Sequence, residues 1–458
     1  MAQRVVLTNF GSYGDLHPFI AIGLKLKAQG FDAVIAASEN YRAKVEIAGL
    51  EFRPAGPSLA DVEADTGLDR GGAVRGLARD SLTFIIGKVM VPYADRTYAE
   101  MREVLRGADL VVGSIMTVSA RLAAAKLGVR TATLLLAPSA ILSAEAPSLV
   151  MEAPHMPWVR RWLGVGALQA ILDLGRLRLR RWLRHFAALR RREGLPPSRG
   201  DEMFDEPLYA DLVCAVWSPL LGPLPPDMPG RCEVAGTVFY DGEAGAENAL
   251  DPALEAFLDA GAPPLVFTLG SLVVSDAGDF YAAAAAAAKG LGRRAVLLVG
   301  REAEARLKAL ATDDVFVAGY APHSLVFPRA TVVIHHGGIG TVGQALRAGK
   351  PQLVCAVLGD QFDNGERLVR LGVARRLDLR KFTAKRAEAA LGQVLGDVTA
   401  AERAAVASQQ VATEDGAAFV ARRIVELLGP PSPDPPSAPA QAGRRDLRRE
   451  RGSAGMAR

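Results

Sequence analysis

The sequence has little cysteine, little net charge and no long hydrophobic run, and each shortage narrows the reading. Three cysteines, Cys214, Cys232 and Cys355, are odd in number and show no metal-ligand spacing. Each lies in or beside an apolar run, which reads as a buried free thiol in a reducing compartment. The net charge is only +4, and part of that excess sits in the last residues, so the balance does not point to a nucleic-acid partner. No apolar run approaches the roughly 18–20 residues that span a bilayer. No n-region and h-region precede the first strand at Arg4, so a soluble, cytoplasmic chain is expected. No short-period repeat appears. What is present is a chain of 458 residues that is 50% hydrophobic, enough for a sizeable core and for two or three domains.

The N-terminal part alternates strand and helix. Arg4–Thr8, Ala33–Ala37, Glu51–Pro54, Asp109–Val112 and Thr131–Leu136 read as strands. Pro18–Ala28, Tyr41–Ala48 and Val118–Lys126 read as helices, the first with Pro18 in its opening turn and Gly30 just past its end. Such alternation implies a parallel sheet covered on both faces. Residues 146–192 differ in character. Ten arginines lie between Arg160 and Arg192, against Asp173 and, just beyond, Glu193. Trp162, Leu168, Ile171, Leu172, Leu177, Leu179, Trp182, Leu183 and Phe186 recur there at helical spacing, giving one or two amphipathic helices. A Pro- and Gly-rich stretch, 218–249, separates an N-terminal domain, 1–217, from a second alternating unit, 250–428. In that unit Leu265–Thr268, Ala295–Leu298, Val315–Val317 and Val332–Ile334 read as strands, and Phe280–Gly290 and Ala417–Leu428 as helices, with others starting at Asn364 and Lys385. The tail, 429–458, is proline-rich and then arginine-rich and is expected to be disordered.

Residues 315–366 are the most informative. Val332–Ile334 leads into the turn His335-His336-Gly337-Gly338-Ile339-Gly340-Thr341, and a helix from about Thr341 to Ala348 follows. Glycines let backbone N–H groups approach an anion without Cβ obstruction, and the helix points its positive end at the same spot. Gly349 closes that helix and Lys350-Pro351 prevents its continuation. A diphosphate is the natural guest.

This segment resembles the donor-binding signature of nucleotide-sugar glycosyltransferases of the GT-B fold, the UDP-glycosyltransferase superfamily. Tyr320 stands where plant members carry tryptophan, His323 where glutamine follows, HHGGIGT at the turn, and Asp360-Gln361 at the closing pair. The doubled histidine looks like the bacterial branch, which glycosylates antibiotics, sterols and lipids, including the sterol glucosyltransferases and the rhamnolipid rhamnosyltransferase. The resemblance implies two Rossmann-like domains facing a cleft, with the last helix returning to the first domain. It implies that Tyr320 stacks on the base and that Ser271, His335 or His336, Gly338, Gly340 and Thr341 hold the diphosphate. Asp360 and Gln361 would take sugar hydroxyls; Asn364 joins the donor-binding set, although it and Gln361 suit plain helix capping as well. No DxD-type metal motif is present, so no cofactor is expected beyond the co-substrate, a UDP- or dTDP-sugar.

The first strand opens into Asn9-Phe10-Gly11-Ser12-Tyr13-Gly14-Asp15-Leu16-His17-Pro18. This is not a dinucleotide fingerprint, because the glycine spacing is wrong and Asp15 would repel a pyrophosphate. The stretch resembles instead the GxxGDxxP turn of bacterial GT-B enzymes, with Gly14 at the donor side and Asp15 in the place of the catalytic base. Asp15 also suits a helix N-cap, and His17 is the rival base. The expectation is an inverting, metal-independent hexosyl transfer to a hydroxyl of a hydrophobic acceptor. A nucleotide-sugar 2-epimerase and a non-catalytic nucleotide-sugar-binding subunit are the alternatives. The arginine-rich stretch is expected either to be a solvated helix pair or to serve the acceptor and touch an anionic membrane from the cytoplasmic side.

Overall fold

The computed structural model describes residues 3–242, 249–274 and 277–430; the expected disorder of the tail falls outside the described residues except for Gly429 and Pro430. Two parallel sheets organise the chain. The first holds β1 (Arg4–Thr8), β2 (Asp32–Ala37), β3 (Glu51–Pro54), β4 (Leu110–Gly113), β5 (Arg130–Leu135), β6 (Leu212–Ala215) and β7 (Glu233–Val234), in the order β3-β2-β1-β4-β5-β6-β7. The second holds β8 (Leu265–Thr268), β9 (Ala295–Leu298), β10 (Val315–Ala318), β11 (Val332–His335), β12 (Gln352–Val354) and β13 (Ala374–Arg376), in the order β10-β9-β8-β11-β12-β13. Every paired neighbour is parallel. Strands such as LVVG, LVCA and AVLL are buried at every residue, as parallel strands covered on both faces must be.

The segment between the domains belongs to both. It supplies β7 at the edge of the first sheet, and Asp241 further on takes both guanidinium nitrogens of Arg347 from the second domain at 2.7 and 2.9 Å. The last helix, Gly416–Leu428, packs on the first helix, Tyr13–Ala28, with Val420, Ala421 and Ile424 fully buried. Burial of the Val420 and Ile424 side chains contributes roughly 1.5–3 kcal/mol each, which ties this helix to the first domain. Glu414 secures the approach, accepting from Ser218 Oγ at 2.6 Å and from Thr237 N–H at 2.8 Å.

Two sequence expectations change here. The first helix begins at Tyr13, not at Pro18. Asp15 at the third helical position accepts from the Ser12 N–H at 2.7 Å and from Ser12 Oγ at 3.0 Å, which starts the helix early. Pro18 then sits inside, where it lacks the N–H that the Gly14 carbonyl would receive. The apolar positions of the arginine-rich stretch also do not share one face. The helices are Met156–Trp182, broken at Gly164, and Arg184–Arg192. Leu168, Leu172, Leu179, Leu183 and Phe186 are buried in the protein, whereas Trp158, Trp162, Leu174 and Leu177 are 58–69% exposed.

Candidate active site

In parallel sheets the loops after the strand C-terminal ends gather at one edge, and the two edges here face each other across a cleft of about 1760 Å³. Among the sequence-predicted residues it is lined by Gly14, Asp15 and His17 from the first domain, and by Ser271, Tyr320, His323, His336, Gly338, Gly340, Thr341, Asp360 and Gln361 from the second.

On the first side, Asp15 sits half-buried behind the turn that follows β1. Gly11, at φ +134°, passes so close that a Cβ there would lie 2.3 Å from Asp15 Oδ2, so only glycine leaves room for the carboxylate. Both bonds from Ser12 fall on Oδ2. Burial raises the Asp15 pKa above the ordinary carboxylate value, and the Ser12 bonds oppose it. His17 packs its ring 5.2 Å from Tyr240 and 6.2 Å from Tyr13. Much of the first-domain wall of the cleft is apolar. Phe84, Ile85, Met116 and Leu142 line it together with Ile171, Leu172, Leu179 and Trp182 of the arginine-rich helix.

On the second side, His336 and His335 part ways. The His336 imidazole lies on two glycines: a Cβ on Gly270 or on Gly338 would each come within 2.4 Å of the ring. Its Nδ1 is buried without a hydrogen-bond partner. Burial, reinforced by His335 and His323, lowers its pKa to about 3, so it faces the cleft as a neutral ring at neutral pH. Helix Ile339–Arg347 begins at this point with Gly338 as N-cap, and Gly340 is exposed. His335, expected at the diphosphate, does not line the cleft. It is fully buried, its Nδ1 accepts from the Gly337 N–H at 3.0 Å, and its Nε2 lies 2.9 Å from Gln352 Oε1. Strand alternation explains the division, since adjacent residues at a strand end point to opposite sides.

Asn364, also expected among donor contacts, is a buried strut rather than a cleft residue. Its Nδ2 donates to the Gly337 carbonyl at 3.0 Å and to Asp360 Oδ2 at 2.7 Å, so it joins the histidine turn to the closing pair. The Gln361 side-chain oxygen is occupied as well, accepting from Val357 and Leu358 N–H at 2.9 and 3.2 Å. Gln361 still borders the cleft, but this oxygen shapes the loop. Burial, and then the Asp15 charge, push Asp360 up to about 7. The two carboxyls thus sense each other across the domain boundary. Tyr320 lines the cleft with the Arg301 guanidinium 5.6 Å from its ring, and His323 stacks on Phe327 at 4.4 Å. Arg301 and Arg70, both on the cleft wall, were not reached by sequence reasoning, because neither lies in a motif. Among the described residues no group of three or more His, Cys, Asp or Glu is arranged to hold a metal ion, and no helix is long and apolar enough to cross a membrane.

The family model of the erythromycin biosynthesis protein CIII-like C-terminal domain matches residues 288–427. The O-mycaminosyltylonolide 6-deoxyallosyltransferase of Streptomyces fradiae is 31% identical over 435 residues, covering 90% of this chain and 95% of that protein. The vancomycin aglycone glucosyltransferase of Amycolatopsis orientalis is 29% identical over 442 residues, covering 94% and 99%. Among solved structures, a glycosyltransferase of Streptomyces sp. SF2575 complexed with thymidine diphosphate superposes with a TM-score of 0.62 at 22% identity, covering 93% of this chain and 99% of that one.

Proposed function

The chain belongs to the bacterial branch of the UDP-glycosyltransferase superfamily and is a GT-B glycosyltransferase, and from that premise we propose that it transfers a hexose from a UDP- or dTDP-sugar to a hydroxyl of a hydrophobic acceptor, with inversion and without a metal ion. The observation that carries this reading is the meeting of Asp15 with the His336 turn across one cleft. In the proposed step the acceptor oxygen attacks the anomeric carbon from the face opposite the diphosphate. Asp15 takes the hydroxyl proton as the new bond forms. The bond from the anomeric carbon to the β-phosphate oxygen breaks, and the nucleoside diphosphate leaves with that electron pair. Backbone N–H groups at the start of helix Ile339–Arg347, with the neutral His336, stabilise the leaving charge, the service a cation would otherwise provide. Thymidine diphosphate bound to the Streptomyces relative favours testing dTDP-sugars beside UDP-sugars.

The apolar wall of the cleft suits a large hydrophobic acceptor of the natural-product kind, as the tylonolide and vancomycin aglycone of the relatives' names suggest. Exposed Trp158, Trp162, Leu174 and Leu177, beside Arg161, Arg178 and Arg181, support reversible contact with an anionic membrane, each basic residue adding about 1 kcal/mol. Co-sedimentation with anionic vesicles at low and high salt tests that contact; absence of binding at low salt would end it.

The experiment for the chemistry is Asp15→Asn beside His17→Ala. Asp15→Asn should lower turnover about 10²- to 10⁴-fold with donor affinity nearly unchanged. An active Asp15→Asn with a dead His17→Ala would transfer the base role to His17.

A further inference from the structure

The helix Arg70–Arg79 belongs to the first domain, yet its first side chain reaches the donor side of the cleft. Arg70 donates one guanidinium nitrogen to the Ser271 carbonyl at 2.8 Å and another to Glu302 Oε1 at 2.8 Å. Its Nε is buried without a hydrogen-bond partner. Ser271 follows Gly270 in the turn after β8, and Gly270 is one of the two glycines beneath the His336 ring. Arg70 therefore bonds the residue next to a glycine that lies against His336, in the histidine–glycine turn read as the diphosphate site. That turn offers N–H dipoles and a neutral imidazole, whereas Glu302 brings a negative charge to the cleft wall. A diphosphate would meet Glu302 unfavourably unless a permanent cation covers it.

Building on the donor reading above, we infer that Arg70 completes the diphosphate site from the opposite domain, so that the site for a pyrimidine nucleoside diphosphate is made by both domains and is whole only when the cleft is closed. The guanidinium has the planar donor fork that phosphate oxygens accept, and its contact with a backbone carbonyl is the weaker of the two uses. Arg70 is a binding residue in this account, and Glu302 is its parking partner.

Calorimetry on the full chain separates this from a plain interdomain latch. The ligands are uridine and thymidine diphosphate and, as controls, uridine and thymidine. Arg70→Ala should weaken the diphosphate that wild type binds by tenfold or more and leave its nucleoside unchanged, with Arg70→Lys in between. Glu302→Gln should bind the diphosphate as well as wild type or better. Equal losses for Arg70→Ala and Glu302→Gln, or losses shared by nucleoside and diphosphate, would make Arg70 a latch and overturn the inference. Unchanged diphosphate affinity in Arg70→Ala would do the same. If wild type binds neither diphosphate, the donor reading itself falls, and the inference with it.

Discussion

Gly338→Ala is a sharp perturbation of the donor site because it alters one distance and little else. Gly338 has φ −61° and ψ 140°, a backbone conformation open to alanine, so the substitution adds no strain of its own. The new methyl would lie 2.4 Å from His336 Nε2. An unstrained contact needs about 3.5 Å, so the ring must move by about 1 Å. Displacement of that size in an aligned site costs about 10²-fold in rate. The three nearest neighbours of that methyl are all atoms of the His336 ring, so the melting temperature should change little. Turnover with a UDP- or dTDP-sugar and calorimetric affinity for the free diphosphate are the assays. The double variant His336→Ala with Gly338→Ala supplies the decisive control. Once the imidazole is gone, the methyl has nothing to displace, and the two losses should not add. Wild-type turnover in Gly338→Ala, or full additivity in the double variant, would refute the claim that His336 works at this position.

Three other outcomes follow from the same geometry. His335→Ala should act on stability more than on donor contact, losing about 1–3 kcal/mol as the Gly337 N–H and Gln352 Oε1 lose their partner, read from a denaturant midpoint. Asp360 has a folded pKa of about 7, above its unfolded value of 3.8, so the unfolded chain loses this proton first and stability falls as pH rises between those values. Asp360→Asn should therefore raise the melting temperature relative to wild type at pH 8 and make little difference near pH 4, a comparison that calorimetry at the two pH values decides. Gly270→Ala carries the same clash with His336 at φ +70° as well, so it should lose melting temperature in addition to activity, unlike Gly338→Ala.

The sheet architecture was legible because parallel strands write themselves as continuous apolar runs. Glu51–Pro54, Leu265–Thr268 and Ala295–Leu298 fall where the sequence puts them. The turn after β11 was legible as a glycine-rich entry to a helix. Which of two adjacent histidines faces the cleft was not, since both readings satisfy the same spacing, and the backbone's alternation decides it. Asn364 misled for a related reason: a polar residue near a motif looks like a ligand contact until its amide is seen spanning two loops. The arginine-rich stretch defeated periodicity because its apolar residues fall on two faces of one helix: Leu168, Leu172 and Leu179 turn inward, while Leu174 and Leu177 turn to solvent. Arg70 carried no local signal. Its role depends on a neighbour 201 positions away in sequence, which only the fold brings within reach.

The central claim is acceptor-dependent transfer from a nucleotide sugar in the cleft between Asp15 and His336. The most direct measurement incubates the protein with UDP-glucose, UDP-N-acetylglucosamine and dTDP-rhamnose, with and without a hydrophobic hydroxylated acceptor, and reads nucleoside diphosphate release and the anomeric configuration of the product by NMR. The account predicts release with at least one donor that depends on the acceptor, and a glycoside of configuration opposite to the donor's. A product that retains the donor configuration, or a sugar epimerised at C2 without any acceptor, would contradict it.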